Sequence, residues 1–398
     1  MVEKKAIGPQ GLKKTVLIIY SLFLFFLIIF SRSSLDTDSQ ANIKLIVVVI
    51  EIGLYIFSFL VGLIYFRINS ESLYILLLVF LSIFVYFITR DKSIALMAIA
   101  IFALRNFDQK EISKFFLITN VVAFFSIISL HFMGILQSVY SYSDGTTKDS
   151  LGFGQANTLG ITLLVINVAL MYTYRERLLN WLVIFILAID YIFLSVAYAR
   201  SSILLIIISS LMFFALKYRF FMKIGKNKLI YMFVFFLILC FAVSFLFSES
   251  RSLYVSGSFL SNLDQEMSGR LKLGQYFITN FPITFLGRYI QYYVPNSTNY
   301  GVDFGSYLVL DNSYLKLIIN FGIIFSILIS FWIFHIFYKN IQNDNYWIIL
   351  PMLTFLILGI TEQSMLYFWV NFSLFLSQKG DHSKVYLNKK HKFLEENN

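Results

Sequence analysis

Residues 43–66 read IKLIVVVIEIGLYIFSFLVGLIYF, with only Lys44 and Glu51 charged in the whole stretch. About 20 such residues, wound as a helix, cross a ~30 Å hydrocarbon core, so the stretch predicts a transmembrane helix. Outward from it, similar apolar runs recur at about 15–31, 73–89, 93–104, 115–136, 157–174, 178–198, 201–216, 229–247, 313–338, 346–360 and 363–377. Together they predict about twelve transmembrane helices in an all-α polytopic integral membrane protein, a single membrane domain over residues 1–398. The fourth run and the last two are short for a full crossing.

Composition points the same way. Of the 398 residues 58% are hydrophobic and 14% charged, and the mean hydropathy is +0.75. A soluble domain carries about 25% charged residues, so this chain cannot cover a water-facing surface of its size. A soluble enzyme, a nucleic-acid binder and a disordered protein are excluded. The weak alternation of a membrane barrel is missing as well. One cysteine, Cys240, leaves no intrachain disulfide and no Cys-based metal site, and His131, His335, His382 and His391 lack H-x-x-x-H or H-E-x-x-H spacing. The N-terminus has Lys4, Lys5, Lys13 and Lys14 before an apolar run. No small-residue cleavage site follows, so an uncleaved first helix is expected.

The net charge of +10 reads as cytoplasmic loops rich in Lys and Arg. With the N-terminus in the cytoplasm and sides alternating, 21 of the 32 Lys and Arg fall on the cytoplasmic side. Without the short fourth span, the basic loop 217–228 would land outside, so the positive-inside rule argues for keeping it. Both termini, including a basic tail at 378–398, are then cytoplasmic. Two long loops, about 137–156 and 248–311, face outward, and loops of such length in compact proteins are usually functional.

The longer loop has its own pattern. Ser268-Gly269-Arg270 precedes Leu273, Phe277 and Phe281 at i, i+4 and i+8, and Pro282 follows. This predicts a short helix lying on the membrane surface with Ser268 as its N-cap. Tyr289, Tyr292 and Tyr293 suit an interfacial aromatic belt.

Several residues along the chain could carry chemistry. Arg200 sits in a tight outer turn where the positive-inside rule disfavours a basic residue. Arg270 opens the surface helix, which opposes the helix dipole unless an anion lies between it and the free backbone N–H groups. With Arg288 these form a candidate clamp for phosphates. Asp311-Asn312-Ser313 stands where the long loop re-enters the membrane, as a general base or, on spacing alone more readily, a helix cap. Glu362, Glu51 and Asp190 are acids in or beside spans, functional candidates by default unless helix–helix hydrogen bonds explain them. In Ser150-Leu151-Gly152-Phe153-Gly154-Gln155-Ala156-Asn157 the glycines permit close approach of backbone to a ligand, or the stretch caps the next helix. Asp36-Thr37-Asp38 is a D-x-D that can hold a divalent metal on a sugar diphosphate, a pattern frequent by chance.

Taken in order, these stretches resemble the O-antigen polymerase and ligase superfamily, most closely the Wzy-type repeat-unit polymerases of capsule and exopolysaccharide pathways. The resemblance spans most of the chain. It rests on Ser150–Gly160, on Ala199-Arg200-Ser201, on Ser268-Gly269-Arg270-Leu271 with Asn280-Phe281-Pro282 and Gly287, and on Asp311-Asn312-Ser313-Tyr314-Leu315 with Gly322 and Thr361-Glu362-Gln363. It implies a glycosyltransferase in the bacterial cytoplasmic membrane, with its site on the outer face. The substrates would be undecaprenyl-pyrophosphate-linked oligosaccharides, and a flippase and a chain-length regulator of the same pathway would be partners. Arg200 and Arg270 match the family's essential arginines, which contact the lipid-linked pyrophosphate. Asp311 stands where many ligases carry the histidine suspected as base, and Gln155 stands where relatives often have histidine. Arg288, Asn157, Asn312 and Glu362 would line the substrate site. No metal or cofactor is expected. A metal-using transferase built on Asp36 and Asp38, a flippase of the same lipid-linked unit, and a ligase are the alternatives.

Overall fold

In a computed structural model the described residues are 9–36, 41–143, 146–292 and 309–377. The chain builds a helical bundle, in order α1 (Pro9–Arg32), α2 (Ala41–Ile64), α3 (Ser70–Thr89), α4 (Ser93–Leu104), α5 (Gln109–Phe132), α6 (Ala156–Thr173), α7 (Asn180–Ala197), α8 (Arg200–Lys217) and α9 (Lys226–Glu249). Two short helices, α10 (Phe259–Glu266) and α11 (Arg270–Asn280), follow, then α12 (Ser313–Lys316), α13 (Ile323–Gln342) and α14 (Ile349–Thr361). Among the described residues nine helices are long and apolar enough to cross a membrane, and α4 and the stretch Tyr346–Thr361 are shorter apolar helices. Apolar side chains stand exposed on the outer helices, among them Val49, Ile52 and Ile56 on α2 and Phe80 and Phe84 on α3. In water so large an apolar surface would aggregate; in a bilayer it is the lipid-facing side.

The short fourth run is explained by its surroundings. Every residue of α4 is buried, so the helix meets protein rather than lipid and need not match the bilayer. Its N-terminal turn is sunk into the bundle. Lys92 pairs with Glu51 at 2.6 Å, and Glu51 lies ten positions after Ala41, about 15 Å along α2. Asp91 Oδ1 accepts from the Ser93 N–H at 2.9 Å and fixes the turn.

Two predicted spans differ from a continuous helix. The run 313–338 breaks: α12 passes into a π-helical turn at Leu317–Phe321, and Gly322, at φ 87°, ends it before α13 begins. The loop segment 284–288 lies against this break. Arg288 N–H donates to Asn320 O at 2.8 Å, and Ile323 and Ile324 N–H donate to Thr284 O and Phe285 O, both at 3.1 Å. Backbone groups released by the break are therefore satisfied by the loop, the condition under which irregular backbone survives inside a membrane protein. The run 363–377 forms two 3-10 turns, Gln363–Leu366 and Phe372–Phe375, in place of the predicted twelfth helix. It nevertheless travels the length of the bundle, from Glu362 to Ser377, whose hydroxyl donates to Arg105 O at 3.3 Å beyond the far end of α4. Leu376 O accepts from Gln109 and Asn340, each at 2.8 Å. Phe, Tyr, Trp, Asn and Ser have modest helix propensity, and almost the whole segment is buried.

The loop 137–156 opens with an antiparallel hairpin, β1 (Tyr140–Ser143) and β2 (Thr146–Asp149), paired Tyr140 to Asp149 and Ser143 to Thr146. The glycine-containing stretch after it meets the chain's own backbone. Ser34 N–H donates to Gly152 O at 2.9 Å, Gly154 N–H donates to Arg32 O at 2.8 Å, and Ser33 bridges Phe153. Gly152 has φ 85°, which only glycine adopts readily. The effect is to lock the end of α1, and with it Arg32.

Candidate functional site

At the end of the bundle where α1, α9 and α14 finish and α6 and α12 begin, charged side chains collect in the interior. Glu362 follows α14 in an extended conformation and is 6% exposed. Arg270, the first residue of α11, places Nη2 2.7 Å from Glu362 Oε1, donates through Nη1 to Thr361 O, and sets Nε 3.9 Å from Asp311 Oδ2. Asn157, in the first turn of α6, donates to Glu362 Oε1 at 3.3 Å, and the Ser313 hydroxyl donates to Glu362 O at 2.6 Å.

The local sequence accounts for this arrangement. Asn312, not Asp311, caps α12: its Oδ1 accepts from Tyr314 and Leu315 N–H, both at 3.0 Å. Its Nδ2 donates to Ile360 O at 2.9 Å and to Ser244 at 3.0 Å, tying α12 to α14 and α9. Asp311 is left to face Arg270. Arg270 in turn is held by the entry of α11, where Asp264 Oδ1 accepts from Leu271 N–H at 2.8 Å and Lys272 N–H at 3.2 Å. Ser268 is therefore not the N-cap; Gly269 occupies that position with φ 79°, and Asp264 supplies the anion expected at the helix start. The apolar face of α11 meets protein. Leu271, Leu273 and Phe277 are buried, and the face packs against α9 and against Leu310, Leu315 and Ile319.

Two cations that the sequence reading passed over join the interior. Lys316 is 3% exposed; its Nζ lies 2.7 Å from Asp91 Oδ2 and 2.8 Å from Gln363 Oε1. It also faces the rings of Tyr292 at 5.4 Å and Tyr367 at 6.0 Å. Arg32, buried at the end of α1, stacks 6.0 Å over Trp369 and acts electrostatically on Glu362. Tyr367 lies within electrostatic reach of Arg32, Lys316, Asp91 and Asp311, so the two halves are contiguous. Three cations, Arg32, Arg270 and Lys316, thus share the interior with three carboxylates, Asp91, Asp311 and Glu362. Burial pushes the Glu362 carboxyl up, Arg270 pulls it back and Asp311 pushes it up again, leaving it raised to about 6. A carboxyl raised in this way is suited to take up a proton, whereas, despite burial, Lys316 and Ser93 hold Asp91 below its ordinary range. Lys316 was visible as a lone lysine inside an apolar run, a position that is functional by default.

The other predicted residues lie elsewhere. Arg200, first residue of α8, pairs with Glu266 at 2.6 Å on the exposed rim. Glu266 precedes Arg270 by four residues, at most about 14 Å of chain, so Arg200 flanks the same α10–α11 turn without entering the buried cluster. Arg288 contacts neither arginine: its backbone pins the π-helical turn, and its buried Nε has no hydrogen-bond partner among the described residues. Gln155 is the exposed N-cap residue of α6, with no side-chain capping bond. Tyr289 is exposed as a belt residue would be, Tyr292 is turned inward onto Phe277 and Lys316, and Tyr293 lies outside the described residues. Asp36 ends a short 3-10 turn after α1; its side chain and Asp38 are outside the described residues. Asp190 accepts from Asn167 at 2.8 Å between α6 and α7, the helix–helix explanation, and Glu51 is taken by Lys92. No family model, no curated protein and no solved structure matches the chain.

Proposed function

We propose that this chain is a glycosyltransferase of the bacterial cytoplasmic membrane that polymerises lipid-pyrophosphate-linked oligosaccharides on the outer face. The observation that carries the reading is the buried meeting of Arg270, Arg32 and Lys316 with Glu362, Asp311 and Asp91 at one end of the bundle. In the proposed topology the chain crosses twelve times, with the 3-10 segment 363–377 as the last crossing. Both termini are cytoplasmic and the cluster faces outward.

An acceptor sugar hydroxyl attacks the anomeric carbon of the growing chain. The bond from that carbon to the lipid pyrophosphate breaks, and the pyrophosphate leaves with the electron pair. Glu362 takes the hydroxyl proton. A neutral Glu362 holds Arg270 less strongly, so the guanidinium is released toward the leaving group just as its negative charge grows, which is where a charged donor lowers a barrier. Arg32 is positioned to share that charge. Asp311 keeps Arg270 oriented, and Arg200 at the rim meets the approaching substrate.

The test is polymer synthesis by purified protein from lipid-linked repeats. Arg270→Ala and Glu362→Gln are each expected to lower the rate by about 100-fold or more, and Arg200→Ala by less. Unimpaired product from an Arg200→Ala, Arg270→Ala double variant rejects the arginine clamp. Product of a single transfer to a different acceptor, with no elongation, assigns ligation in place of polymerisation.

A further inference from the structure

The far end of the bundle from Glu362 holds a cavity of about 500 Å³, bounded by the start of α1, the α2–α3 turn, the end of α4 and α13. Its charged lining is Lys13, Arg67, Arg105 and Lys339 against one carboxylate, Glu71. That carboxylate is occupied: Lys339 lies 2.7 Å from it and His335 3.8 Å. Lys13 donates to Asn106 O at 2.9 Å. Arg105 is the unusual member. It is 2% exposed, donates to Phe102 O at 2.8 Å and Ser72 at 3.2 Å, and stacks 4.8 Å over Phe102. Among the described residues no carboxylate lies within ion-pair distance of it. Glu71 acts on it only from beyond that distance, and burial, which lowers the guanidinium's affinity for its proton, outweighs that attraction. A second group in the same wall is unsatisfied: the Tyr65 hydroxyl is buried with no hydrogen-bond partner among the described residues.

We infer that this cavity binds the phosphate of an anionic phospholipid headgroup. A phosphodiester offers several acceptor oxygens, enough for the free guanidinium N–H groups, the Tyr65 hydroxyl, and Lys13 and Arg67 at the mouth. Basic pockets between transmembrane helices at their cytoplasmic ends suit such headgroups. The surface beside the cavity favours a lipid over a free ion: Leu12, Leu63 and Ile64 are exposed apolar side chains on α1 and α2, a path for acyl chains. The inference does not rest on the proposed glycan transfer.

The experiment uses the full chain in detergent and reads bound lipid by native mass spectrometry and thermal stability. Phosphatidylglycerol, phosphatidylcholine and inorganic phosphate are added separately. Phosphatidylglycerol is expected to be retained and to raise the melting temperature; the other two are not. Arg105→Gln risks misfolding, so Lys13→Gln with Arg67→Gln, at the mouth, carries the test. This pair is expected to weaken phosphatidylglycerol binding about tenfold or more. Equal retention of the two lipids, or undiminished binding by the pair variant, overturns the inference. An equal stabilisation by inorganic phosphate assigns the cavity to a free anion and overturns the lipid source.

Discussion

Glu362 is held by opposed influences, and its behaviour with pH follows from them. Its carboxyl is raised from the ordinary 4.5 to about 6 because burial and Asp311 outweigh Arg270. As a base it must be ionised, so the polymerisation rate is expected to rise as pH increases through about 6, and Glu362→Gln removes that limb along with most of the activity. Stability runs the other way. A carboxyl raised on folding binds a proton more tightly in the folded state, so its contribution is present in acid and is lost as pH rises from about 4.5 through about 6. Thermal unfolding across that window is expected to show the loss in the native chain and not in Glu362→Gln. Arg270→Lys keeps the charge but loses the fork that reaches Thr361 O and Glu362 together; a rate loss of about tenfold or more is expected, and a full-rate lysine variant would leave only a point-charge role. Arg270 and Glu362 were legible in the sequence as residues. Their pairing was not, because ninety-two positions separate them and only the packing of both α11 and α14 against α9 brings them together.

At the scale of elements, the sequence announces burial more clearly than conformation. Two runs both apolar enough to be read as spans form a long helix at 41–64 and 3-10 turns at 363–377, since an apolar run reports what is hidden from water and not how the backbone winds. The start of α11 shows the same limit. Ser268 has the right chemistry for a cap, yet its φ of 56° and the nearby carboxylate of Asp264 give the task to the latter. Asp264→Ala is expected to cost about 1–2 kcal/mol, read as a lowered unfolding midpoint, while Asp264→Asn, which retains an accepting oxygen, recovers most of it. The sunken α3–α4 turn is joined to α12 by Asp91 and Lys316, a buried pair at 2.7 Å. Breaking it from one side strands a charge, so Asp91→Asn or Lys316→Met alone is expected to cost about 3–5 kcal/mol. The double variant should cost less than either single change. Strict additivity of the two would show that the pair is not coupled.

The whole molecule has two differently charged ends, and the proposed function depends on which faces the cytoplasm. One end gathers Arg32, Arg270 and Lys316 with three carboxylates that offset them; the other lines a cavity with four cations against Glu71 alone. The positive-inside rule weighs lysine and arginine near span ends, and in the proposed topology the second end is the cytoplasmic one. Charge counting in the sequence predicts the same orientation, because the basic loop 217–228 weighs heavily and loop charges need no tertiary contacts to be read. The balance of charge inside the candidate site was hidden, since Asp91 and Lys316 look like stray loop and span residues until folding joins them. Orientation is checked by single cysteines on a Cys240→Ala background, Cys240 being buried. Tyr254, on the loop after α9, and Lys223, between α8 and α9, are both exposed and sit at opposite ends. In intact cells a membrane-impermeant maleimide is expected to label Tyr254→Cys at once and Lys223→Cys only after permeabilisation. The reverse pattern would turn Glu362 and Arg270 toward the cytoplasm, away from any outward-facing lipid-linked glycan, and the proposed transfer would lose its substrate.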